Sequence, residues 1–175
     1  AAREGETVLV IGGGVIGLMA VQLAKLAGAE VLLLTRSPEK KALGLNIGAD
    51  YAVSAESEVR NIWPEGADLV VECAGVSATV SLSHKLARSG GRVVILGVIS
   101  QGEQVPIEPF DMLFREIQMH FSFLNPFTHE RAAQMIADGT INVLPLISRI
   151  ISLEEAELTI SSPPPKGEVR AIVVP

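Results

Sequence analysis

The sequence predicts an α/β domain with a doubly wound, parallel sheet, and three observations predict it. Short apolar runs alternate with helix-length segments along most of the 175 residues. The hydrophobic fraction is 48% while aromatics make up 4%, so the core is aliphatic, as in a sheet buried on both faces. The stretch VLVIGGGVIGLMAVQLAKLAGAEVLLLTRS (8–37) sets four glycines among six positions between two apolar runs, which reads as strand, sharp turn, helix and strand. Alternating strands and helices imply right-handed crossovers. Six strands at this spacing suit the order 3-2-1-4-5-6, with ligands expected beyond the carboxyl ends of strands 1 and 4.

The elements follow in order. TVLVI (7–11) is a β-branched apolar run, and residues 15–27 form a helix with Gln22 and Lys25 as its polar face. EVLLLT (30–35) is the second strand. SPEKKALGLNIG (37–48) carries helix punctuation: Ser37 as N-cap, Pro38 at the first helical position and Gly48 as the stop. YAV (51–53) is a short third strand, and AESEVRNIW is a helix ended by Pro64 and Gly66. DLVVEC (68–73) is the fourth strand. SATVSLSHKLARSGG reads as a helix closed by Gly90 and Gly91, before a fifth strand RVVILG (92–97). FDMLFRE is a short helix and IQMHFSF (117–123) an edge strand. THERAAQMIADG is a helix, LISRIISLEEAELTI a strand and then a helix, and SSPPPKG a loop whose prolines forbid regular structure. EVRAIVV (168–174) is a last strand without a place in a six-stranded sheet. It is either an added edge or a strand that pairs outside this chain.

Composition excludes several classes. The net charge of −6 and the absence of a basic run argue against a nucleic-acid partner. The apolar run 8–21 has no basic segment before it, is broken by glycines and is too short to span a bilayer, so no membrane association is expected. A single cysteine permits no internal disulfide and suits a reducing, cytoplasmic setting.

Gly12, Gly14 and Gly17 form G-x-G-x-x-G directly after a strand and at the opening of a helix. Gly12 permits the tight turn, Gly14 lets backbone approach a pyrophosphate, and Gly17 lets the helix lie close to the strand. The helix N-terminus then offers N–H groups and a positive dipole end to phosphates. Gly12, Gly13, Gly14, Val15, Ile16 and Gly17 are the expected phosphate-binding segment.

Thr35 ends the second strand, where such folds place an acid for the adenosine ribose; no acid occurs until Glu39. Arg36, Ser37 and Lys40 follow at once. A guanidinium fork and hydroxyls bind a 2′-phosphate, which an acid would repel, so the expected coenzyme is NADP rather than NAD. Cys73, His84, His120 and His129 have no metal-ligand spacing, so no metal site is expected in this segment. Cys73 reads as a small apolar residue at a strand end, and His84, beside Lys85, as solvated.

The segments GETVLVIGGGVIGLMAVQLAKLAGA, NIGADYAV, DLVVECAG and GGRVVILGV resemble the coenzyme-binding half of the medium-chain dehydrogenase/reductase superfamily, specifically its zinc-type alcohol dehydrogenases. The resemblance implies a Rossmann domain over residues 1–123. It also implies a C-terminal extension, 124–175, returning toward a catalytic domain that this chain lacks and that supplies the zinc ligands. It implies that Cys73, Ala74, Gly75, Leu96, Gly97 and Val98 flank the nicotinamide and its ribose. His120 to Ser122 would offer backbone groups to the carboxamide, and Arg170 would lie near the pyrophosphate. The full-length parent would transfer hydride between the nicotinamide and an alcohol or carbonyl substrate, with this segment inactive alone. A homodimer through IQMHFSF, with Ile117, Met119, Phe121 and Phe123 on one face, or a tetramer, is the implied assembly. The alternatives are a zinc-free quinone or enoyl reductase of the same superfamily and a non-catalytic dinucleotide-sensing module. The chain begins at Ala1, six residues before its first strand, which is read as a fragment or a processed chain.

Overall fold

The computed structural model describes residues 1–124 and 127–175; residues 125 and 126, near the start of the expected extension, lie outside the described residues. Six strands, β1 (Thr7–Ile11), β2 (Glu30–Leu34), β3 (Tyr51–Val53), β4 (Ala67–Glu72), β5 (Ala87–Ile95) and β6 (Gln118–Phe121), form one sheet in the order β3-β2-β1-β4-β5-β6. Every pairing is parallel. The expected doubly wound topology is the one observed.

Alternation along the strands divides the core between the two faces. Val8, Val10, Val31, Leu33 and Leu69 pack with Leu18, Val21 and Ala24 of α1 (Val15–Leu26). Leu43 of α2 (Pro38–Asn46) joins the same cluster. Leu9, Ile11, Leu32, Leu34, Val70, Val93 and Ile95 pack on the other face. They meet Val59 of α3 (Glu56–Ile62) and Val80 and Leu86 of α4 (Ser77–Leu86). Because β1 and β2 are covered on both sides, they read as continuous apolar runs.

Four sequence readings are corrected. The helix expected to run to Gly91 stops at Leu86, and β5 begins at Ala87. Ala87 pairs with Ala67 and Arg92 with Leu69, so the strand bulges between them, with Gly90 at φ 71°. The glycines mark this bulge rather than a helix stop. His84 is not solvated but fully buried, at the position four residues after buried Val80 on the same face of α4. Gln22, assigned to the polar face of α1, is also buried. Its amide donates to the Asn142 carbonyl at 3.0 Å, and its Oε1 accepts the Asn142 N–H at 2.8 Å. The last strand, β8 (Arg170–Val173), does have a partner in this chain. It pairs in parallel with β7 (Ile147–Ile151), across the crossover helix α7 (Leu153–Ser161). Periodicity marks a strand but not its partner, so this second small βαβ unit was not readable locally. Before it come the short helix α5 (Pro109–Phe114) and α6 (His129–Ala137). No described helix is long and apolar enough to cross a membrane.

Candidate functional site

The carboxyl ends of β1, β2, β4 and β5 converge on the crevice at the switch in strand order. The glycine turn occupies one side. Gly12 takes φ 106°, and a Cβ there would lie 2.9 Å from the Ala74 backbone nitrogen, so the turn abuts the loop after β4. A Cβ on Gly17 would lie 1.9 Å from the Gly12 carbonyl oxygen, so glycine at 17 closes the turn itself. Gly14 is the N-cap of α1, with open space within 4 Å of its Cβ position. No side chain caps α1 and no acid occupies its first turn. Leu18 donates back to the Gly14 carbonyl, while the N–H groups of Val15, Ile16 and Gly17 precede the first intrahelical bond and point out of the helix end. This is a cradle of oriented donors with room above it, and it suits a pyrophosphate.

Gly13 joins the turn to the end of β2: a Cβ there would meet Thr35 Oγ1 at 2.9 Å and Lys40 Cβ at 3.0 Å. The structure thus brings Gly13, Thr35 and Lys40 together. Arg36 is exposed beside them, and among the described residues no ion pair engages Arg36 or Lys40. Ser37 is already committed. It accepts the Lys40 N–H as the α2 N-cap and donates to Glu39 at 2.6 Å. Lys166, on the proline-rich loop, lies 3.7 Å from Glu39. The Ser37 hydrogen bond, more than the Lys166 charge, holds the Glu39 carboxyl below the usual range.

The other side is built from the ends of β4 and β5. Its organiser is Glu72, fully buried and overlooked in the sequence reading. Its Oε1 accepts from the N–H of Ala74 at 2.9 Å, the N–H of Gly75 at 3.1 Å and the Thr79 hydroxyl at 2.7 Å. Its backbone carbonyl accepts from Leu96 and Gly97 at 2.9 and 3.0 Å. Gly75 has φ 67°, and a Cβ on Gly97 would lie 2.3 Å from its nitrogen. The two loops therefore close on one another only as a glycine pair. Cys73 sits on this wall with its thiol pushed up to about 12, by burial first and by the Glu72 charge second. Both causes favour the neutral thiol over the thiolate.

His120 is exposed on edge strand β6, paired in register with Val94, and the Ser122 N–H is bound to the Ile95 carbonyl at 3.1 Å. Val98 is largely exposed. Arg170 opens β8 on the small second sheet, in a groove with Ile151, Ala156 and Ile160. Among the described residues no group of three or more His, Cys, Asp or Glu side chains is placed to hold a metal ion. The donor set of the described residues does not fit zinc.

Sheet order, glycine turn and crevice define a Rossmann-type α/β domain. The zinc-binding dehydrogenase family model matches residues 15–138, and the chain belongs to that family. It is 32% identical over 162 residues to the L-threonine 3-dehydrogenase of Bacillus licheniformis, covering 87% of this chain and 46% of that one. With the D-arabinitol dehydrogenase 1 of Uromyces fabae it shares 29% identity, covering 87% and 47%. Among solved structures, a Sinorhizobium meliloti 1021 protein assigned to the zinc-binding dehydrogenases, with NADP bound, superimposes with a TM-score of 0.96. It is 50% identical, covering all of this chain and 54% of that one. The alcohol dehydrogenase TADH of Thermus sp. ATN1 gives a TM-score of 0.89 at 30% identity, covering 98% and 53%. The chain spans about half the length of the curated relatives it matches.

Proposed function

We propose that this chain binds NADP(H) and orients its nicotinamide for hydride exchange with an alcohol or carbonyl compound in a full-length protein. The observation that carries the coenzyme choice is the end of β2: Thr35 against Gly13, exposed Arg36 and half-buried Lys40 with no ion-pair partner among the described residues, and no acid at the ribose-reading position. The NADP-bound Sinorhizobium relative supports it. The α1 N-terminus would hold the pyrophosphate. Arg36 and Lys40, with the Thr35 hydroxyl, would hold the 2′-phosphate, and the wall of Ala74, Gly75, Gly97 and Val98 would meet the nicotinamide end. When bound, the coenzyme supplies a hydride donor or acceptor; this chain's residues bind it, orient it and exclude water.

Metal and substrate groups would come from the remainder of the protein. Its docking is supported by the exposed apolar side chains Leu158, Ile160, Val173 and Val174 of the second βαβ unit and its end. A homodimer through edge strand β6 is supported by Phe121 and Phe123, both more than 70% exposed. Ile117 and Met119 already pack on the core, so the open patch is shorter than IQMHFSF. The single cysteine fits a cytoplasmic protein. Titration of the chain with NADPH and NADH tests the reading. NADPH is expected to bind at least about tenfold tighter, with no alcohol turnover by this chain alone. Equal affinities would overturn it.

A further inference from the structure

We propose that Glu72 is the positioning residue of the ring-side wall, and that its buried negative charge biases the site toward the oxidised, cationic form of the nicotinamide. The proposal rests on the coenzyme reading above. Glu72 is the one acidic side chain among the described residues with no exposed surface, and no cation pairs with it there. Its charge is held by hydrogen bonds alone, from Ala74, Gly75 and Thr79, while its carbonyl fixes Leu96 and Gly97. One residue thereby ties together the loop after β4, the first turn of α4 and the end of β5.

A glutamine could keep part of that network, but it has no net charge, and its amide would turn donors toward the N–H of Gly75 or toward Gly97. What the carboxylate adds is an uncompensated anion in a low-dielectric wall, felt by whatever lies against Ala74–Gly75 and Gly97. The two redox forms of a nicotinamide differ by one positive charge on the ring. A fixed anion behind that wall therefore stabilises bound NADP+ relative to bound NADPH.

The test measures dissociation constants of NADP+, NADPH and 2′-phospho-ADP-ribose, which lacks the ring, for the wild-type chain, Glu72→Gln and Glu72→Asp. Glu72→Gln is expected to leave 2′-phospho-ADP-ribose within about twofold and to raise the NADP+/NADPH dissociation-constant ratio about three- to tenfold. Glu72→Asp keeps the charge and should keep the ratio, even where a shorter side chain weakens all ring-bearing ligands. An unchanged ratio in Glu72→Gln, or equal loss of all three ligands, overturns the proposal. If Glu72→Gln does not fold, Thr79→Val carries the test. It removes one donor and leaves the charge less satisfied, so NADP+ should tighten relative to NADPH by about twofold; no change overturns it. A wild-type chain that binds no 2′-phospho-ADP-ribose would remove the coenzyme reading itself, and the Glu72 role with it.

Discussion

The glycine turn and the β4–β5 wall touch at Gly12 and Ala74, yet they present opposite surfaces to the crevice. At the turn, the donors at the start of α1 have no side-chain cap and face open space. On the wall, the N–H groups of Ala74, Gly75, Leu96 and Gly97 are all engaged by Glu72. Phosphate recognition needs unsatisfied donors and positive charge. A ring needs a flat, close surface whose own polar groups are already paired. Glycine thus serves two purposes here: at position 14 it leaves open space at the helix end, and at 17, 75 and 97 it lets protein meet protein.

The largest expected effect separates those purposes. Gly17→Val drives side-chain atoms into the Gly12 carbonyl, already 1.9 Å from a Cβ, and is expected to cost at least about 3 kcal/mol of stability in urea unfolding. Gly14→Ala has open space and should leave the unfolding midpoint within about 0.5 kcal/mol of wild type. It should nevertheless weaken NADPH, because its methyl group occupies the space assigned to the pyrophosphate. Equal stability losses at 14 and 17 would break the distinction.

The next effect concerns charge. Arg36→Ala should remove most of the NADPH preference, about 1.5–3 kcal/mol for a charge-assisted hydrogen bond, and leave NADH affinity unchanged. Added salt should weaken NADPH more than NADH. Thr35→Asp should invert the preference, by repelling the 2′-phosphate and offering a carboxylate to the ribose. Ser37→Ala should act chiefly on stability, by about 1 kcal/mol, because its hydroxyl caps α2. A selective loss of NADPH binding in Ser37→Ala would reassign that hydroxyl to the phosphate.

Much of this was legible locally. The turn is encoded by adjacent residues, Gly12 to Gly17, and the α2 start by Ser37 and Pro38, so spacing alone located both. The sheet order followed from alternation and crossover handedness. Glu72 was illegible because its carboxylate partners Ala74, Gly75 and Thr79 reach it only through the turn into α4, and its carbonyl partners Leu96 and Gly97 only through the folded sheet. The bulge at 88–91 was misread because a Gly-Gly pair signals a helix stop and a bulge alike. Ser37 is read correctly as the N-cap, but its bond to Glu39 was not legible because it depends on a side-chain rotamer.

The smallest expected effect lies at the far end of α4, the helix whose first turn Thr79 ties to Glu72. His84 is fully buried with neither ring nitrogen hydrogen-bonded. Burial lowers its pKa, with Lys85 and Arg115 adding to that and Asp111 and Glu108 opposing it. The folded protein therefore resists taking up this proton, while the unfolded chain titrates near 6.5. Below that pH the unfolded state binds more protons. Stability present above about 6.5 is then lost as pH falls toward the lowered folded-state value, by at most about 1.4 kcal/mol per pH unit. His84→Leu fills a similar volume without ring nitrogens and should remove this slope. Urea unfolding at pH 8 and pH 5.5 measures it: the variant's advantage over wild type should be larger at the lower pH. An equal difference at both values would mean that His84 takes up its proton equally in the folded and unfolded states, and that α4 holds the β4–β5 wall independently of acid.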